Sequence, residues 1–243
     1  MTGHVLPPRA PGTLRFVSYN VHKAVGTDRR ADPARILQVI AALEADVVIL
    51  QEADRRLGAR PTALPRGLIP EITGLVPIAA GQSAVSLGWH GNAILTRPDI
   101  RLTGLERLDL PGLEPRGALI ADLAAPEGAL RVCGLHLGLL RPSRRSQLSA
   151  LTAALNRHAP PPTVIGGDFN EWSTEVGLGR LAQRFHLLTP GKSFHARRPV
   201  AHLDRFAHDA GVSLVAAGVA EGGQARVASD HLPIWMDARL SSR

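Results

Sequence analysis

The chain is poor in aromatic side chains, with five phenylalanines, three tryptophans and one tyrosine among its 243 residues. That scarcity weakens a reading as a nucleic-acid channel, which stacks successive bases on exposed rings. Cysteine is scarcer still: Cys133 stands alone. It has no partner for a disulfide within the chain, which fits a reducing compartment, and its apolar surroundings mark it as an inert buried thiol. No uncharged apolar run approaches the roughly 20 residues that span a bilayer. Residues 1–13 contain three prolines and no apolar signal segment. The expectation is a loose arm over 1–13, one domain over 14–243, and a soluble cytoplasmic protein. Acidic residues are also few, 21 against 28 lysines and arginines, which leaves a net charge of +7. Such a balance favours an anionic partner, whether nucleic acid, an acidic membrane surface or a phosphorylated small molecule. It is compatible with peripheral attachment at the inner face of a membrane. Nothing in the sequence calls for an obligate protein partner.

Strand signals dominate what is present. Leu14 to His22 alternates with Asn20 and His22 on one face, and Val47-Val48-Ile49-Leu50 is apolar throughout, as a strand covered on both faces would be. Between them, Asp32 followed by Pro33 predicts a helix start, and Ile36, Val39, Ile40 and Leu43 form its apolar stripe. Residues 53–75 read mostly as loop. Further strands are expected around 76–80, 92–96, 100–108, 117–123, 131–136, 163–168, 201–207, 212–219 and 232–240. Helices are expected over 143–158 and near 175–186. Strict strand–helix alternation fails after residue 75, so two sheets packed face to face with helices outside fit better than a doubly wound sheet.

Polar residues gather where these strands end. In Gly166-Gly167-Asp168-Phe169-Asn170 an extended backbone sends Asp168 and Asn170 to one face and Phe169 to the other. The glycines suggest that something approaches closely; the competing reading is an Asx-rich turn. Glu52 leaves a buried strand, where a carboxylate must be paired, protonated or metal-bound, and Arg55 or Arg56 could equally pair with it. His136 ends another strand. Ser229-Asp230-His231 sets a metal-competent carboxylate beside an imidazole just before an apolar strand. Asp204 sits in a strand, an unfavourable place for aspartate, and so needs a partner such as a histidine.

Taken in order, Ser18-Tyr19-Asn20-Val21-His22, Leu50-Gln51-Glu52, Gly91-Asn92, Leu135-His136, Gly166-Gly167-Asp168-Phe169-Asn170, Leu203-Asp204-Arg205 and Ser229-Asp230-His231 resemble the endonuclease/exonuclease/phosphatase family. This is the fold shared by deoxyribonuclease I, AP endonucleases, inositol polyphosphate 5-phosphatases and neutral sphingomyelinases. The Tyr-Asn-x-His-Lys opening and the Arg-Arg-Pro segment are similar to small bacterial members found alongside phospholipid-synthesis enzymes. The resemblance implies a four-layer α/β sandwich and in-line hydrolysis of a phosphate ester with a divalent metal, magnesium or else manganese. It implies that Glu52, Asn20 and Asp230 hold the metal and that Asp168 activates the attacking water. Asn170 would donate to the phosphate, and Asp204 would hold His231, whose imidazolium stabilises the transition state. His136 would be general acid or electrostatic partner on the opposite wall, and Arg116 would be directed at the phosphate. Asn92 is carried over as a substrate-binding residue.

Arg144 and Arg145 fall in the first turn of a helix, where the macrodipole disfavours cations, and are expected to bind substrate. The alternative for each arginine is a solvated side chain. Two other functions stay open: a DNA or RNA endonuclease of the same fold, and a non-catalytic module binding nucleic acid or acidic membrane. Leu137-Gly138-Leu139-Leu140 beside the site could be an exposed apolar loop for phospholipid, or ordinary core.

Overall fold

Alternation along the first strand sets the layering. In β1 (Leu14–Asn20) Phe16 joins an apolar cluster between two sheets, whereas Val17 and Tyr19 join one under the helices. The structure, a computed structural model, describes residues 6–157, 161–173 and 176–241. Residues 1–5 of the expected arm, His158 at the end of one expected helix and Glu175 at the start of another lie outside them. Leu6 is buried in the helix-side core, and Arg9 pairs with Asp46, so residues 6–13 are tied down by packing and charge.

After β1 the chain makes a short turn at His22–Ala24 and enters α1 (Pro33–Ala41), where Asp32 accepts from the Arg35 N–H at 3.0 Å as the helix cap. It continues through β2 (Val47–Gln51), α2 (Leu68–Thr73), β3 (Val76–Pro77), β4 (Ala93–Thr96), β5 (Arg101–Leu110), β6 (Arg116–Ala125) and β7 (Gly128–His136). Then come α3 (Arg141–Leu155), β8 (Thr163–Asp168), α4 (Gly179–Ala182), β9 (His186–Leu188), β10 (Asp204–His208), β11 (Val212–Val219), α5 (Ala225–Ala228) and β12 (Ile234–Leu240). Two expectations need correction. The helix expected near 175–186 is confined to Gly179–Ala182, and the strand near 76–80 to Val76–Pro77. Gly177, at a φ of 108°, breaks the helical path just before the first, and Pro77, without an N–H, ends the second.

The strands form two six-stranded sheets, in the orders β11-β12-β1-β2-β4-β3 and β5-β6-β7-β8-β10-β9. Each is mixed: β1 runs parallel to β2 and β7 parallel to β8, while the other pairs are antiparallel. Each parallel pair requires a crossover, and α1 and α3 supply them. Phe16, Ile49, Ile94, Leu119, Val132, Val164, Phe206 and Met236 fill the space between the sheets. Ile36, Ile40 and Ile69 cover the outer face of the first sheet; Leu148, Leu151 and Phe185 cover the second. The result is the four-layer α/β sandwich. No helix among the described residues is long and apolar enough to cross a membrane.

The paired glycines Gly134 and Gly166 let the two sheets close up beneath the polar strand ends. A Cβ on Gly166 would lie 2.7 Å from Ile49 Cδ1, and one on Gly134 2.8 Å from Ile49 Cγ2. The close approach expected at Gly166 is therefore that of the opposite sheet.

Candidate active site

Register brings the distant motifs together. Because β7 and β8 are parallel, His136 lies beside Asp168; because β8 and β10 are antiparallel, Asp204 lies opposite Asp168. β1 in the other sheet contributes Asn20, whose amide donates to Asp168 Oδ2 at 3.1 Å across the sandwich. His231 arrives on the loop before β12. Its Nδ1 meets Asp204 Oδ2 at 2.7 Å and its Nε2 lies 3.7 Å from Asp168 Oδ2. His136 Nε2 lies 3.4 Å from the same oxygen. Asp168, Asn20, His136, Asp204 and His231 thus form one buried cluster.

Burial and charge separate their proton affinities. Burial works against a proton on His231, but the charges of Asp204 and Asp168 outweigh it and raise the imidazole to about 10. His136 goes the other way: burial, reinforced by Arg116 and His231, holds it well below its ordinary value. Burial raises Asp168 to about 6, with His231 opposing and Asp204 adding to the shift. The surroundings thus favour the proton on His231 and disfavour it on His136, with the raised Asp168 between them, which suits an acid–base site.

Asp168, Asp204 and His231 offer ligand atoms within 4.8 Å of one another, a composition compatible with a metal ion. Within that cluster the His231 Nδ1 is already engaged by Asp204. The oxygen donors at the rim suit a hard cation better. Burial disfavours the Glu52 carboxylate, yet Lys23 and Arg56 outweigh it and hold the group ionised. Both of its oxygens already receive cations, Lys23 on Oε2 and Arg56 on Oε1. Asn20 Oδ1 accepts from the His22 N–H at 3.1 Å, and Asp230 lies 3.8 Å from His22 Nδ1, which places both residues around the same short turn. Glu52 and His136 share a cavity of about 110 Å³ with Lys23, Arg56, Arg60 and Arg116.

Three expected contacts are redirected. The Asn170 amide donates to the Leu137 carbonyl at 2.9 Å, and its backbone N–H bonds Asp168 Oδ1 at 2.9 Å, so it braces the strand end. Asn92 donates to Gly117 O at 2.9 Å and ties β4 to β6. Arg144 is buried and pairs with Glu171 at 2.8 Å, while Arg145 remains exposed. Arg116 faces the cavity but also pairs with Glu114 at 2.7 Å.

Several residues gave no usable signal in sequence. Ser193 donates to Asp204 Oδ2 at 2.5 Å, and Phe194 packs 5.0 Å from the His231 ring. Both sit in a loop whose polar and apolar residues show no period. Lys23 belonged to a recognisable opening, Asn-x-His-Lys, yet only the fold reveals its pairing with Glu52.

Two mixed sheets face to face, with an Asp–His–Asp cluster at one end of their strands, define an α/β sandwich with a polar site at its strand ends. The chain belongs to the endonuclease/exonuclease/phosphatase family, whose model matches residues 17–231. Members of this family are phosphoesterase and nuclease hydrolases. YbhP of Escherichia coli strain K12 is 27% identical over 250 residues, covering 94% of this chain and 97% of its own. The fold is also that of an endonuclease/exonuclease/phosphatase from Beutenbergia cavernae, at a TM-score of 0.73 and 22% identity, covering 97% of this chain and 72% of that one. A mannosyl-6-phosphatase from Bacteroides thetaiotaomicron aligns at a TM-score of 0.73 and 17% identity, covering 93% of this chain and 99% of that one.

Proposed function

We propose that this protein is a divalent-metal-dependent hydrolase of phosphate esters, of phosphodiesterase type. The observation that carries the reading is the geometry around Asp168: His231, held by Asp204 at 2.7 Å, and His136 bring their Nε2 atoms to 3.7 and 3.4 Å from its Oδ2. A water in line with the phosphorus loses its proton to Asp168, whose raised affinity suits a general base near neutral pH. His231, kept cationic by Asp204, donates to a phosphoryl oxygen as negative charge builds. His136 is neutral in this environment and acts as a hydrogen-bonding partner of the phosphate, so the electrostatic role expected of it passes to Arg116 and His231. Glu52, with Asn20 and Asp230, would hold magnesium or manganese, which when bound neutralises phosphate charge and steadies the leaving oxygen.

Hydrolysis of bis-p-nitrophenyl phosphate tests this directly. Turnover is expected with magnesium and lost in EDTA, and Asp168→Asn is expected to lower kcat by roughly 10²–10⁴. Full activity in EDTA, or in Asp168→Asn, overturns the reading. A monoester arm belongs in the same assay, because a sugar phosphatase shares the fold.

A further inference from the structure

The most exposed large apolar side chains of the described residues all project from loops at the catalytic end of the sheets. Leu57, 85% exposed, follows β2, and Val85 precedes β4. Leu113, 87% exposed, joins β5 to β6; Leu139 and Leu140 follow β7. Trp172, 62% exposed, and Val176 follow β8, while Val200 precedes β10. Each of these strands begins or ends at the level of Asn20, His136 and Asp168.

The loops are also joined to one another. Thr62 N–H donates to Val85 O at 2.9 Å and Ser83 to Ala59 O at 2.6 Å, linking the Leu57 and Val85 loops. Leu139 N–H donates to Glu114 Oε1 at 2.9 Å, which brings Leu113 beside Leu139 and Leu140. Trp172 meets Phe194 edge-on at 6.2 Å, and Val200 N–H bonds Phe194 O at 2.7 Å. Three braced pairs of loops therefore surround the catalytic opening, each with at least two exposed apolar side chains.

Cations stand among these tips. Exposed Arg55, Arg56, Arg141, Arg145, Arg197 and Arg198 share this end with the apolar tips. At the opposite end Asp46, Asp99 and Glu127 are paired with Arg97, so the carboxylates there are largely offset by cations. Apolar tips among cations on one face, with the most exposed of the large apolar side chains gathered there, match the chemistry of an interface between acyl chains and anionic headgroups. A polynucleotide would match the arginines but leave the leucines uncovered.

We infer that the loops around the active site form a docking face for an anionic phospholipid bilayer, with leucine and tryptophan tips entering the headgroup boundary and arginines binding lipid phosphates. Docked in this way, the catalytic opening faces the membrane and receives a phosphate ester carried by it. This last step rests on the proposed hydrolysis; the docking itself does not.

Vesicle sedimentation of the full chain carrying Asp168→Asn, with magnesium and with EDTA, reads docking apart from turnover. The protein is expected to sediment with vesicles of equimolar phosphatidylcholine and phosphatidylglycerol, and far less with phosphatidylcholine alone. Replacing Leu113, Leu139 and Leu140 together with serine is expected to weaken binding by roughly tenfold or more. The same three changes in the otherwise native chain are expected to leave turnover of soluble bis-p-nitrophenyl phosphate unchanged. Tryptophan emission is expected to shift to the blue on vesicles, and Trp172→Leu is expected to keep binding while losing the shift. Absence of sedimentation, or sedimentation indifferent to the leucines, overturns the docking face. So does binding to single-stranded DNA that is tighter than to vesicles and equally indifferent to the leucines, which would assign the arginines to nucleic acid. Docking without lipid hydrolysis by the native chain would leave the face standing and remove the lipid substrate.

Discussion

His231 has Asp204 on one ring nitrogen and Asp168 on the other side, and Asp204 carries the larger share of its raised proton affinity. Its folded value, about 10, exceeds its ordinary value of 6.5. The cation therefore contributes stability that is fully present below pH 6.5 and lost as pH rises through about 10. NMR titration of the metal-free protein should find this imidazole still protonated at pH 8, and Asp204→Asn should bring its titration down by more than one unit. A titration near 6.5 in the native protein would remove the acid role. Arg144 illustrates the opposite outcome at the same scale. Its guanidinium pairs with Glu171 and bonds the Leu139 carbonyl at 2.6 Å, bracing two loops of the rim. Arg144→Ala leaves a buried carboxylate uncompensated and is expected to cost about 3–5 kcal/mol in urea unfolding. A loss of substrate affinity with unchanged stability would return Arg144 to the binding site.

At the scale of elements, the parallel pairs β1–β2 and β7–β8 place the site. Each pair sits inside its sheet, and both pairs end at the same level, so polar residues at strand ends meet across the sandwich. The approach is close because Gly134 and Gly166 accommodate Ile49. Gly166→Ala is expected to destabilise the fold by about 1–3 kcal/mol, and Ile49→Val in the same chain to recover part of that loss. Additive destabilisation in a double-mutant cycle would show that the methyl group meets something else. Most of these elements were legible in sequence, since β1, β2, β7, β8 and α1 carry strong periodicity or uninterrupted apolar runs. The strand β9 and the helix α5 were not legible, because three or four residues are too few to show a period.

Across the whole molecule, the placement of the most exposed apolar side chains gives the two ends of the sandwich different characters. Net charge alone suggested an anionic partner but no direction. Topology supplies one: the loops at the strand ends bearing Asp168 bring exposed arginines and leucines together. Arg55, Arg56, Arg141, Arg145, Arg197 and Arg198, far apart in the chain, thereby come to one end beside the candidate site.

The sequence by itself determined the two-sheet sandwich and marked the polar residues at strand ends, because alternation, apolar runs and a carboxylate at the end of a buried run are local properties. It could also mark Asp204 as needing a partner, since an aspartate in a strand is locally unfavourable. Only the tertiary structure decided which imidazole keeps its proton, which asparagines brace loops, and what the paired glycines admit. Those outcomes depend on burial and on charges contributed by segments far apart in the chain, as when His231 settles between Asp204 and Asp168.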